Sequence, residues 1–196
     1  MRSLSAGEHH ALSNSSEQIN RLITHLKEHA IRTDGPFTLR SGAVTSWYLD
    51  ARQTTFDGSG AVLVGEAVLP HVPEEAEAVG GMTIGADPIA VATAMIAARA
   101  GRALRAFSIR KEAKEHGTGG RLVGPVRPGA KVTMLEDTST TGAALVKAIG
   151  AARESGLVVV SAVCLVDRSA GRTTDRLGEL DVPYLALLTP DMLGLD

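Results

Sequence analysis

Between positions 131 and 166 the apolar residues fall into two short blocks separated by a polar turn and an amphipathic stretch. Val132, Met134 and Leu135 give residues 131–137 the pattern of a buried strand that ends in two carboxylates, Glu136 and Asp137. Thr138, Ser139, Thr140, Thr141 and Gly142 follow; Leu145 and Ile149 then recur at helical spacing and predict a helix to about residue 154. Residues 157–166 form a continuous apolar run and read as the next strand. Upstream, Ser15 and Gln18 make a capping-box pattern ahead of Ile19, Leu22, Ile23 and Leu26, which predicts a first helix from 15 to about 30. Segments 37–39 and 47–51 read as strands around the turn Arg40-Ser41-Gly42, and 60–69 as a second helix. A short strand at 76–79 leads into the glycine-rich turn 80–87; Asp87 is expected as N-cap, with Pro88 in the first turn of a helix to about 99. A strand at 104–109 is followed by a long basic loop to 128, and 184–188 is the last strand.

Strands alternating with helices predict an α/β fold, a doubly wound, mostly parallel sheet flanked by helices. In such sheets ligands sit beyond the carboxyl ends of the strands. The turns at 80–87, 110–127 and 136–142, and the pair Asp167-Arg168, all follow strands at that end.

A length of 196 residues suits one domain over 15–196, with residues 1–14 expected as a loose polar tail. With 44% hydrophobic and 21% charged residues the chain is globular and not disordered. A net charge of −2 supplies no global field, so no nucleic-acid or membrane partner is expected and any cationic site is local. The single cysteine, Cys164, lies in an apolar run and reads as a buried structural thiol; lacking an internal disulfide, the chain suits a reducing cytoplasm. Residues 1–14 lack the apolar core of a signal peptide, and no run reaches membrane-spanning length. His9, His10, His25 and His71 have no zinc-ligand spacing and read as surface residues, while Trp47 reads as core. Gly80, Gly81 and Gly85 lack the spacing of a dinucleotide fingerprint, and no serine has a nucleophile-elbow context.

The strand, hydroxyl-rich turn and helix start at 131–145 form an anion cradle: unpaired N–H groups and the positive end of a helix dipole converge on one spot. Two acids beside that cradle would repel a bare phosphate. They make sense if the ligand also carries hydroxyls to be held, or a divalent metal, and a phosphorylated sugar meets both demands. Arg110, Lys111, Lys114 and His116 bring four cationic or potentially cationic side chains into seven positions of a glycine-rich segment. A stretch of this kind can serve as a mobile lid that meets concentrated negative charge on a departing group.

Residues 131–145 resemble the phosphoribosyl pyrophosphate motif of the type I phosphoribosyltransferases. Arg-Lys-Glu-x-Lys-x-His-Gly at 110–117 resembles the catalytic loop of the orotate-specific branch of that family. Residues 37–42 with 47–50 look like its base-covering segment, part of a small N-terminal hood over about 15–75. Residues 79–88 resemble a pyrophosphate-binding turn of the family, and Val166-Asp167-Arg168 is similar to the strand end whose arginine holds the orotate carboxylate. The resemblance runs from about 37 to 168, with an echo at Leu193-Gly194-Leu195.

It implies an Mg²⁺-dependent transfer of the phosphoribosyl group to orotate, giving orotidine 5′-monophosphate for pyrimidine biosynthesis. Glu136 and Asp137 would contact the ribose hydroxyls; Thr138, Ser139, Thr140, Thr141, Gly142, Ala143 and Ala144 would hold the 5-phosphate. Arg110, Lys111, Lys114 and His116 would meet the pyrophosphate, with Lys114, His116 and Asp137 as the catalytic set. Arg168, with Thr140, Arg40 and Tyr48, would receive orotate. Mg²⁺ would be held mainly through substrate and water, and the resemblance implies a homodimer whose lid reaches into the neighbouring site. The chain departs from the family pattern in having Glu136 where an aspartate is common, no lysine near Gly85, Arg40 for a lysine, and Leu49 for an aromatic. Two other readings keep the pocket: a purine phosphoribosyltransferase, and a non-catalytic regulator that senses phosphoribosyl pyrophosphate. The first gives Arg168 no carboxylate to bind, and the second needs no cationic lid.

Overall fold

The computed structural model describes residues 6–38, 42, 44–114 and 120–195. Helix α1 (Ala6–His29) begins well ahead of the Ser15-Gln18 capping pattern, so residues 6–14 continue a helix where a loose tail was expected. No proline interrupts 8–14, but the helix-favouring Glu8, Ala11 and Leu12 are outnumbered there by the weaker formers His9, His10, Ser13 and Asn14, which is why the sequence signal was faint. Leu22 and Leu26 are fully buried, as their spacing predicts.

The expected hairpin around 40–42 is instead two short ribbons. β1 (Ile31–Arg32) pairs antiparallel with β4 (Tyr48–Leu49), and between them β2 (Phe37–Thr38) pairs antiparallel with β3 (Val44–Thr45). Arg40 lies outside the described residues. A short α2 (Arg52–Thr55) precedes α3 (Gly58–Val68), the predicted second helix. Asp57 caps α3, its carboxylate accepting from the N–H groups of Ser59 (3.0 Å) and Gly60 (2.8 Å).

β5 (Ala78–Met82) runs further than the expected 76–79, through Gly80 and Gly81, because strands flank it on both sides and take up its backbone groups. α4 (Ala86–Arg99) starts one position before Asp87, with Gly85 as its N-cap. Asp87 is therefore not the cap; it lies in the first turn, where Thr83 Oγ1 donates to its Oδ2 at 2.6 Å. β6 (Arg105–Lys114) extends past the expected end at 109 and pairs antiparallel with β7 (Gly120–Val123), so much of the expected basic loop is a hairpin. The pairs Ser108–Val123 and Ile109–Leu122 satisfy backbone groups that a free loop would leave to water.

β8 (Lys131–Ser139), α5 (Ala143–Glu154), β9 (Val158–Asp167), α6 (Arg172–Gly178) and β10 (Tyr184–Leu188) complete the fold. The sheet order is β10-β9-β8-β5-β6-β7, parallel throughout except for β7. This is the mostly parallel α/β sheet that the alternation predicts. Val132 and Met134 pack with Leu145, Ile149 and Leu177 on one side. Leu135, Val163 and Leu165 join Leu22, Leu26, Val64 and Ile89 on the other. Cover on both faces explains why the central strands read as nearly continuous apolar runs. Cys164 is a buried free thiol. Among the described residues no helix is long and apolar enough to cross a membrane.

Candidate active site

The carboxyl end of β8 carries the acid pair. Glu136 is 8% exposed, and its Oε2 is buried without a hydrogen-bond partner. Burial, reinforced by the neighbouring Asp137 carboxylate, pushes the Glu136 pKa up to about 8. Burial also raises Asp137, against the pull of the Thr138 N–H, which donates to Asp137 Oδ1 at 2.7 Å, and of the Arg52 charge. A buried, unpartnered carboxylate oxygen is costly, and it fits an incoming hydroxyl donor. Opposite it, the backbone of Gly85 approaches so closely that a Cβ there would stand 2.6 Å from Asp137 Cγ. A larger residue would force the turn or the carboxylate to shift, so the turn that lacks a lysine lies directly against Asp137.

Beyond the acids the chain turns at Gly142, whose φ of 75° suits glycine, and enters α5. Gly142 N–H donates to Ser139 Oγ at 3.0 Å and Ala143 N–H faces Thr141 Oγ1 at 3.4 Å. Thr140, Thr141, Ala143 and Ala144 are exposed around the helix start, as an open anion cradle requires. A cleft of about 350 Å³ beside it is lined by Met82, Lys111, Arg121, Ala143, Ala144 and Lys147. Three cations thus border the cradle, and two of them, Arg121 and Lys147, carry no motif that would single them out. Arg121 Nε donates to the Arg110 carbonyl at 2.8 Å, fixing the two strands of the hairpin together. The Lys114 side chain and His116 lie outside the described residues.

Arg168 follows β9, and its guanidinium carbon lies 3.9 Å from the centroid of the Trp47 ring. Burial lowers the Arg168 pKa, and Tyr48 partly opposes that. Trp47, 8% exposed, is core as expected and also carries the arginine on its face. Tyr48 is 40% exposed and packs 5.9 Å from the Phe37 ring, whereas Leu49 is buried and turned to the core. The Arg168 N–H donates to Ser139 O at 2.7 Å, so the arginine and the hydroxyl-rich loop share a strand end. Asp167 stiffens that end: its Oδ1 accepts from Ser169 N–H at 2.7 Å and its Oδ2 from Tyr184 Oη at 2.9 Å.

Two further groups lie beside these segments, and the second departs from expectation. Arg52 pairs with Asp50 through two contacts (Nε–Oδ1 2.7 Å, Nη2–Oδ2 3.0 Å) while its charge reaches Asp137. His25, expected as a free surface residue, is partly buried and engaged. Its Nδ1 lies 3.2 Å from Thr54 Oγ1 and its Nε2 lies 3.1 Å from Asp57 Oδ1, so it joins α1 to the cap of α3. Helical spacing told which face of α1 is apolar but could not tell that α2 and α3 come to rest beside His25.

No family model matches the chain. The chain is 43% identical over 176 residues to an orotate phosphoribosyltransferase of Streptomyces coelicolor, covering 89% of this chain and 96% of the relative. The crystal structure of Mycobacterium tuberculosis H37Rv orotate phosphoribosyltransferase in complex with Fe(III) dicitrate superposes with a TM-score of 0.81 at 32% identity. That match covers 91% of this chain and 99% of the other. A second structure of the M. tuberculosis protein, in complex with 5-phospho-α-D-ribosyl 1-diphosphate, gives a TM-score of 0.74 at 30% identity with the same coverage.

Proposed function

The chain belongs to the orotate phosphoribosyltransferase family, and from that premise we propose how its own residues carry the transfer. The protein is a pentosyltransferase that joins the phosphoribosyl group of 5-phospho-α-D-ribose 1-diphosphate to orotate, releasing diphosphate and giving orotidine 5′-monophosphate in pyrimidine biosynthesis. The observation that carries the assignment of roles is the strand end where Glu136 and Asp137, the cradle at 138–144 and Arg168 meet. Family membership favours neither the purine nor the regulator reading.

Orotate N1 displaces diphosphate from C1 of the ribose. Charge builds positively on the ribose and negatively on the leaving group, so positioning and electrostatics supply most of the catalysis. Glu136 and Asp137 meet the ribose hydroxyls; the Asp137 charge favours the cationic ribose, while Glu136, which holds its proton in the ligand-free protein, hydrogen-bonds the sugar. Thr138, Ser139, Thr140, Thr141, Gly142, Ala143 and Ala144 receive the 5-phosphate at the start of α5. Arg110, Lys111, Lys114 and His116 meet the diphosphate, and Lys111 already borders the cradle. Arg168 takes the orotate carboxylate as a planar fork, its guanidinium carried over the face of Trp47. Thr140, Arg40 and Tyr48 close around the base.

Mg²⁺ would be held mainly through substrate oxygens and water, as is usual for this hard cation, near the Asp137 and Glu136 carboxyl groups. When bound, Mg²⁺ neutralises charge on the diphosphate. The active form is a cytoplasmic homodimer in which each lid serves the partner's site.

An orotate absorbance assay with phosphoribosyl pyrophosphate and Mg²⁺, run beside adenine, hypoxanthine and uracil, tests the reading. Turnover of orotate alone, abolished by chelator, is expected. Preference for a purine, or full activity in excess chelator, overturns it.

A further inference from the structure

The loop that presents Arg168 and the loop that forms the phosphate cradle are joined by a chain of polar contacts that no catalytic role so far explains. Asp167 Oδ1 accepts from Ser169 N–H at 2.7 Å, and Ser169 Oγ accepts from Thr173 N–H at 3.0 Å. Thr173 Oγ1 lies 2.8 Å from Ser139 Oγ, which in turn accepts from Gly142 N–H at 3.0 Å. Asp167, Ser169, Thr173 and Ser139 are all buried. A second link runs over the surface. Arg172 donates through Nε to Ser169 O (2.9 Å) and through Nη2 to Thr140 O (3.0 Å), so one guanidinium spans both loops.

Backbone packing makes the same connection. A Cβ on Gly142 would stand 3.1 Å from Thr173 Cα, so the turn that opens α5 rests against the turn that opens α6. Both turns use left-handed backbone, at Gly142 (φ 75°) in one and at Ala170 (φ 52°) and Gly171 (φ 91°) in the other. Ala170 holds this conformation without glycine's freedom, which a surrounding network of fixed contacts allows.

We infer that Arg172 and Thr173 are positioning residues that tie the two loops into one unit, so that an anion in the phosphate cradle helps set Arg168 for the orotate carboxylate. The inference rests on the assignment of those two subsites given above. Ordering the cradle fixes Thr140 and Ser139; through Arg172 and Thr173 it also fixes the backbone of residues 168–171. The second ligand then meets a site whose ordering has already been done, which is positive coupling without any contact between ligands.

The test is calorimetric titration of orotate into the full chain, with and without saturating ribose 5-phosphate, an unreactive occupant of the cradle. In the wild-type protein ribose 5-phosphate should tighten orotate binding by about 5–20-fold, within the usual range of coupling between sites. Arg172→Met and Thr173→Val should reduce that factor to about 2-fold or less, while each ligand alone still binds. Thr173→Ser, which keeps the hydroxyl, should restore the wild-type factor; a merely structural loss would not be rescued in this selective way. Arg172 is exposed, so its variant remains available should Thr173→Val not fold. Coupling in Arg172→Met equal to wild type, or no coupling in the wild type itself, overturns the inference. If the wild-type protein neither binds nor turns over orotate, the assignment of function fails instead.

Discussion

The guanidinium carbon of Arg168 lies 3.9 Å from the centroid of the Trp47 ring, so a residue from the N-terminal hood orients one at the end of the fourth parallel strand in sequence. The ring face limits the room in which the guanidinium can move. Arg168→Ala should mainly weaken orotate binding and leave the affinity for phosphoribosyl pyrophosphate nearly intact. Trp47→Leu should raise the orotate KM by about 2–30-fold, the equivalent of a cation–π contact of roughly 0.5–2 kcal/mol. Steady-state kinetics with each substrate varied in turn checks both; equal losses for the two substrates would show that Arg168 has been given the wrong partner.

Asp137→Asn keeps the volume but removes the charge that favours a cationic ribose. Turnover should fall by about 10²-fold or more, the scale for losing one preorganised electrostatic group, with little change in thermal melting. Wild-type turnover in this variant would make the acid pair structural.

Gly85→Ala tests the contact between the pyrophosphate turn and the same aspartate. The added Cβ would fall 2.6 Å from the Asp137 carboxyl carbon, so either the turn or the carboxylate must move. Catalytic efficiency should drop by at least about 10-fold, since misplacing a catalytic group by an ångström can cost about 10²-fold. Kinetics and melting curves measured on the same sample separate a displaced site from a damaged fold.

The acid pair should also give the ligand-free protein a distinctive pH dependence. Glu136 has an ordinary pKa of 4.5 and a folded value of about 8, so between these limits the native state holds the extra proton. Stability linked to this group is fully present below about pH 4.5 and is lost as pH rises towards 8. Melting temperature should therefore decline from pH 5 to pH 8 more steeply in the wild type than in Glu136→Gln, which has no proton to lose. Parallel profiles for the two proteins would mean that Glu136 is already ionised in the fold.

Lys114→Ala should lower turnover by about 10²–10³-fold if it meets charge developing on the diphosphate. Mixing Lys114→Ala with Asp137→Asn subunits, after confirmed exchange, should restore activity when the lid serves the partner's site. One site of each mixed dimer then combines an intact lid with an intact acid pair. Activity no greater than that of the separate variants would rule out a shared site.

The sequence by itself determined the elements whose periodicity is local and strong. The apolar run around Met134 and the strand through Cys164 stand where the pattern puts them, whereas β8 continues past the acid pair and takes in Thr138 and Ser139, which were expected in the turn. Side-chain period and burial on both faces leave little choice at those positions. The extents of β5 and β6, the hairpin that pairs Ile109 with Leu122, and the start of α4 before Asp87 depended on neighbours far along the chain. A strand continues for as long as a partner takes up its backbone groups, and no local window contains the partner. The same reason hides the meeting of Trp47 with Arg168, of Gly85 with Asp137, of Thr173 with Ser139 and of His25 with Asp57. Their residues were visible one by one; only the packing of distant segments brought each pair within contact distance.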